Sequence, residues 1–195
     1  MPYVSSGIRR RQIVLAARRV LERRGLARAS LRAVADEAGI ALSTLQHVFK
    51  TREALFRAVV EEMLVAPRHA LPAVGGPDQR FGDWLTEALQ ELWQQLVGQE
   101  PGAQLARFEV TLHAVREGLA GSLARWNQER REAWVDKTAA LAGWDLRLPA
   151  EQVARLVSAF VDGLLLQYLT DPDPERAAAD LRHAARAVAA VATAD

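Results

Sequence analysis

The sequence predicts an all-α protein, with an N-terminal three-helix head built on a helix-turn-helix, a larger C-terminal helical body, and about nine helices in total. Three observations carry this expectation. Apolar residues recur at helical spacing along nearly the whole chain, and no segment alternates convincingly as a strand would. Half of the 195 residues are hydrophobic, which is enough for one large core or two modest ones. Charge is unevenly divided: residues 1–60 hold twelve Lys or Arg against four acids, a net of +8, leaving −7 on the rest of a chain whose total is +1. A basic head on an acidic body is the electrostatic footprint of a protein that meets a polyanion at one end.

The elements follow in order. Ile13, Ala16, Ala17, Val20 and Leu21 form one apolar stripe with arginines opposite, and Gly25 stops that helix. Ser30 is placed to cap a second, short helix carrying Leu31, Val34, Ala35 and Ala38, which Gly39 ends. A third runs from Leu42 to Phe49. Thr51 suits the cap of a fourth, over 52–66, with Glu53 where the helix dipole favours an acid and Leu55, Val59 and Met63 facing inward. Pro67 and Pro72 close it, and "PAVGGPD" reads as a loop.

Longer helices come next. Phe81, Leu85, Ala88, Leu89, Leu92 and Leu96 make one stripe; Leu105, Phe108, Leu112 and Val115 make another; Leu119 to Ala142 gives a third with Trp126 and Trp134. Pro149 suits the first position of a helix in which Val153, Leu156, Val157, Phe160, Val161, Leu164 and Tyr168 repeat, and Asp173 with Pro174 begins the last helix. The expected division is a head over 1–51 and a body over 52–195, joined by the helix at 52–66.

Several classes are disfavoured. There is no cysteine, and His47, His69, His113 and His183 are too dispersed for a metal cluster, so neither metal nor cofactor is expected. No uninterrupted apolar run approaches the roughly 18–20 residues of a membrane span, and the N-terminus lacks a secretion signal's apolar core, which predicts no membrane partner and a cytoplasmic protein. No acids, bases or nucleophiles share an inward face, so no catalytic residue is nominated and no enzyme is expected.

Two helices joined by a tight glycine turn, the second short and polar outside, describe a helix-turn-helix whose second helix enters the DNA major groove. Gly39 supplies the turn, while Ala35, Ile40, Leu45 and Phe49 hold the pair together. Leu42, Ser43, Thr44, Gln46, His47 and Lys50 are then left exposed, with reach to base edges or phosphates. Gln46 or its neighbour His47 is expected to read a base, since glutamine pairs bidentately with adenine. Ser43, Thr44, Lys50 and Ser30 are expected on phosphates, with Arg9, Arg10 and Arg11 adding contacts from a frayed end.

At these residues the sequence resembles the TetR-type one-component transcriptional regulators. The resemblance rests on "AARRVLERRGLARASLRAVADEAGI", on Ser43 to Leu45, on Phe49, and on "REALF" at Arg52 to Phe56. It implies a homodimer with a three-helix head, a linking fourth helix, and a helical body that takes a small molecule and dimerises through its last two long helices. It also places Arg32 where some members reach the groove. Three positions depart from the family pattern: Ala41 stands where a capping serine is usual, Gln46 where a tyrosine is usual, and Arg52 where a lysine is usual.

In the body, Trp93, Phe108, Thr111, Leu112, Trp126 and Gln167 are candidates to line an effector pocket between helices, and Glu109 and His113 are candidates for added polarity. The dimer is expected through Val157, Phe160, Val161, Leu164 and Tyr168 with Ala184 and Val188, where small residues permit close approach. The expected activity is ligand-responsive regulation, with two heads on a near-palindromic operator of double-stranded DNA that a small-molecule effector forces out of register. The alternative is a helical ligand-binding dimer without sequence-specific DNA activity, whose altered Ala41 and Gln46 mark a decayed head.

Overall fold

The computed structural model describes residues 6–65, 79–98 and 101–193; at 64, 65, 120, 122–124, 126, 127, 130, 131, 134 and 141 the backbone alone is described. The "PAVGGPD" loop with Pro67 and Pro72 lies outside the described residues, as do the side chains of Trp126 and Trp134. Two compact units emerge, Met1–Pro67 with Gln99–Ala124, and Arg68–Gly98 with Arg125–Asp195. Nine α-helices stand among the described residues, and the extended pairing there is an isolated bridge between Leu146 and Thr193.

The first unit begins with α1, Ser6–Arg24, which buries Ile13, Val14, Ala16, Ala17, Val20 and Leu21. Arg23 and Arg24 occupy its last turn, where the helix dipole favours cations. Gly25 ends it at a φ of 72°, a conformation that costs a residue with a Cβ. A single 3₁₀ turn, Leu26–Arg28, leads to Ser30, whose hydroxyl accepts the Ala33 amide at 3.2 Å and caps α2, Leu31–Ala38. Gly39, left-handed at a φ of 64°, donates its amide to Ala35 and Asp36, and the Ile40 amide returns to the Ala35 carbonyl at 3.0 Å. The chain then enters α3, Leu42–Val48, and Phe49 closes it with its amide on the Leu45 carbonyl.

Thr51 caps α4, Arg52–Val65, by accepting the Ala54 amide at 3.1 Å. Helix α6, Pro101–Arg116, packs on both α1 and α4. Its buried side is not the bulky stripe that the periodicity favours. Ala106, Val110 and Ala114 face the core at 1% exposure or less, whereas Leu105, Leu112 and Val115 are half or more exposed. Small side chains win because α6 approaches α1 closely: a Cβ on Gly102 would overlap the Glu22 carbonyl oxygen. One apolar cluster results, joining Ile13, Val20, Val34, Leu45, Phe49 and Val59 to this small-residue face of α6.

The second unit holds α5, Phe81–Val97, the larger part of α7, Ala120–Ala142, then α8, Ala150–Thr170, and α9, Pro174–Ala192. Phe81, Trp84 and Trp144 pack ring to ring at 5.1–6.1 Å, and the Trp144 Nε1 donates to the Gln79 carbonyl at 2.7 Å. These aromatics are core. Pro149 is the residue before α8 rather than its first, and its carbonyl accepts the amides of Gln152 and Val153. Asp173 caps α9 on the Arg176 amide at 2.9 Å, with Pro174 in the first turn. Helix α9 packs on α5 and α8, close enough that a Cβ on Gly82 would lie 3.2 Å from that of Ala189.

By length and composition alone α8 matches a membrane span, but Glu151, Arg155 and Asp162 interrupt its apolar sequence. Only 22% of its apolar stretch is buried within the chain.

Candidate nucleic-acid interface

Helix α3 is seven residues long, too short to be stable alone, so its position is inherited from what it packs against. Leu45 and Phe49 are its anchors, at 0% and 2% exposure. Helical geometry then turns Ser43, Thr44, Gln46 and His47 to the solvent, with Lys50 exposed just beyond. Leu42, expected in that exposed set, is instead partly buried against the core. Ala41 has the extended backbone of a capping residue but no side chain to cap with. At the start of α2, Ser30 and Arg32 are exposed.

Around this surface α1 supplies the supports. The Arg10 guanidinium lies over the Phe49 ring, 4.4 Å from its centroid, a cation–π contact at the end of α3. Arg9 Nη1 donates to Gln12 Oε1 at 2.8 Å, and Gln12 Nε2 donates to the Ala38 carbonyl at 2.8 Å. Arg9, Arg10 and Arg11 therefore stand on a formed helix and not on a frayed end. Glu37 of α2 receives Arg19 at 2.7 Å and also pairs with Arg23. The hydrogen bond from Arg19, against partial desolvation and helped by Arg23, holds the Glu37 carboxyl below its ordinary pKa. None of these supports has a periodic signature, which is why composition and spacing passed over Gln12 and the Arg10–Phe49 pair.

A helix-turn-helix with a polar outer helix and a basic surround is matched by a family model. Residues 13–59 fit the bacterial regulatory proteins of the tetR family, and residues 82–192, more than half the chain, fit the tetracyclin repressor-like C-terminal domain. The chain belongs to the tetR family.

Among tetR-family relatives it is similar to the nicotine-responsive transcriptional repressor HdnoR of Paenarthrobacter nicotinovorans, 31% identical over 89% of this chain and 90% of that protein. It is also similar to the transcriptional regulator TtgR of Pseudomonas putida, 28% identical over 84% and 81%. Among solved structures, the multidrug binding protein EbrR complexed with ethidium superposes with a TM-score of 0.68, at 25% identity over 95% of this chain and 99% of that one. As a tetR-family protein, the chain is a DNA-binding transcriptional regulator.

The remaining tetR-type expectations concern the body. Phe108, Thr111 and Leu112 lie on α6 in the first unit, with Phe108 and Thr111 half-buried and Leu112 exposed. Trp93 and Gln167 lie in the second unit, where Trp93 is buried edge-on against Tyr168 at 5.4 Å and Gln167 is exposed. The side chain of Trp126 is outside the described residues. Glu109 and His113 do not pair with each other. Glu109 accepts the Leu26 amide at 2.7 Å, and the His113 ring sits edge-on to Phe56 at 4.4 Å.

The expected dimer residues lie on α8 and α9 with unequal exposure. Val161, Ala184 and Val188 are buried at 7%, 4% and 1% inside their own chain, because α9 spends its small residues on packing against α5 and α8. Val157, Leu164 and Tyr168 are half-buried. Phe160, 40% exposed, is the one of the seven left on the surface. Beside Phe160, α8 leaves Gln152, Ala159, Gly163, Leu166 and Thr170 exposed, with Leu156 half-exposed between them. That spacing of three and four is a heptad.

Proposed function

We propose that the chain is a homodimeric repressor that leaves a near-palindromic operator when a small molecule binds its body, and that it acts in the cytoplasm. One observation carries the DNA-binding half: α3 buries Leu45 and Phe49 and thereby presents Ser43, Thr44, Gln46 and His47, with Lys50, from a stretch, residues 1–60, of net charge +8. In this reading α3 enters the major groove, Gln46 or His47 meets a base edge, and Ser30, Ser43, Thr44 and Lys50 settle the head on phosphates with Arg32 at the groove's flank.

The α8 seam supports the dimer. Leu156, Ala159, Gly163 and Leu166 line one helical face, and apolar surface of that extent is unfavourable in water unless covered. A second copy, related by a two-fold axis, covers it with the same residues; Ala159 and Gly163 let the backbones approach.

For the effector, the nicotine-responsive relative and the ethidium-bound neighbour support a small organic molecule. We assign Phe108, Thr111 and Leu112 to its reception because they share a helix whose other face is buried on α1 and α4. A displacement of α6 is then passed to the head without unfolding it, and a coupling of about 1–3 kcal/mol is ordinary for such a switch.

The test is selection of duplexes from a random pool, followed by gel shift at two salt concentrations. The expected result is a near-palindromic consensus bound by a dimer, with affinity falling steeply as salt rises and falling again on addition of ethidium or nicotine. Binding indifferent to sequence overturns the regulator reading; operator affinity untouched by a molecule that demonstrably binds overturns the effector half.

A further inference from the structure

The geometry points to Gln12 as a positioning residue for operator recognition, held in register by Arg9, acting through the turn that sets the recognition helix; this rests on the regulator reading above. A helix leaves its last carbonyls without partners in the helix itself. In α2 the Ala35 and Asp36 carbonyls are taken by the amides of Gly39 and Ile40. The carbonyl of Ala38, the final residue, is taken by the side chain of Gln12, 26 positions earlier in the sequence. Its donor belongs to α1, so the turn is fixed to the helix around which the head's core is built.

The direction of that amide is set as well. Arg9 can only donate, so its guanidinium faces the Gln12 oxygen and leaves the amide nitrogen for the Ala38 carbonyl. A positive charge on the oxygen also polarises the amide and strengthens its donation. The consequence is large because α3 lacks a side-chain cap of its own at Ala41. With its first turn held only through the Ala41 carbonyl, which accepts the Thr44 and Leu45 amides, the angle at which Ser43, Thr44, Gln46 and His47 meet the groove depends on how firmly Ala38, Gly39 and Ile40 are placed. Base readout is sensitive to that angle, and phosphate attraction is much less so.

The experiment uses the full chain with two probes: a duplex selected from a random pool by the unaltered protein, and a scrambled duplex of the same composition. Gln12→Met keeps the length and removes both hydrogen bonds without changing charge. The expected result is a fall of about tenfold in the ratio of selected to scrambled affinity, with scrambled binding and its salt dependence unchanged. A merely structural residue lowers the folded fraction, and with it both affinities together. Should Gln12→Met fail to fold, Gln12→Asn, whose amide falls one carbon short of Ala38, reads the same ratio. An intact ratio in a folded variant, or an equal loss on both duplexes, overturns the positioning role and leaves the regulator standing. If the unaltered protein selects no sequence, the regulator reading falls and this inference with it.

Discussion

Ala41 has the φ of −64° and ψ of 145° that a capping residue adopts, yet offers no oxygen to the amides of α3. Ala41→Ser therefore supplies a missing hydrogen bond without asking the backbone to move, and should stabilise the protein by about 1 kcal/mol in urea denaturation. A loss of stability would mean that the start of α3 is not free to accept a cap. At Gln46 the question is recognition: Gln46→Ala should relax base preference at one position of each half-site by about 1–3 kcal/mol. A uniform loss across all operator variants would assign Gln46 to the backbone instead. Glu37 gives a pH test with a definite sign. Its carboxyl is held below its ordinary pKa chiefly by Arg19, so the tie between α1 and α2 is complete above the ordinary carboxylate range. It is lost only as pH falls through the lowered native value. The stability gap between the protein and Glu37→Gln should stay constant from neutral pH down to that range and close in stronger acid; a gap that closes near neutrality would refute it.

At the scale of elements, the sequence is most legible where one rule decides. Glycines at 25 and 39, caps at Ser30, Thr51 and Asp173, and the inward stripe of α1 all stand where local chemistry puts them. It misleads at α6, where two stripes compete. Leu105, Phe108, Leu112 and Val115 have the greater apolar bulk, but Gly102, Ala106, Val110 and Ala114 permit the closer approach to α1, and closeness decides. Periodicity reports how apolar a face is and not how near its partner will come. By the boundaries of the family model α6 belongs to the C-terminal domain, and by packing it belongs with the head. Gly102→Ala tests that seat. Its new Cβ meets a backbone carbonyl, which cannot rotate away, so α6 must lift from α1 at a cost of about 1–3 kcal/mol. An unchanged unfolding midpoint would show that α6 is not seated on Glu22.

For the whole molecule, the placement of the dimer face was the least legible feature, and the reason is the one met at α6. Both sides of α8 are apolar, so its pattern announces a second partner without saying which side takes it. Val161 and Leu165 are buried within the chain while Leu166 is 52% exposed on the seam with Ala159 and Gly163, which supports the proposed dimer face on that side. Leu166→Glu separates the two roles. On a single chain the new carboxylate stays in water, so the unfolding midpoint extrapolated to low concentration should be nearly unchanged. Across a two-fold axis the same substitution is made twice in one interface, where it buries like charges without partners. Sedimentation should therefore show monomers at concentrations where the unaltered chain is paired. Operator affinity should fall with it, because each head alone keeps its groove contacts but loses the second half-site held beside it. A Leu166→Glu protein that remains dimeric would place the interface elsewhere, and one that becomes monomeric with operator affinity intact would show that the two heads do not act together.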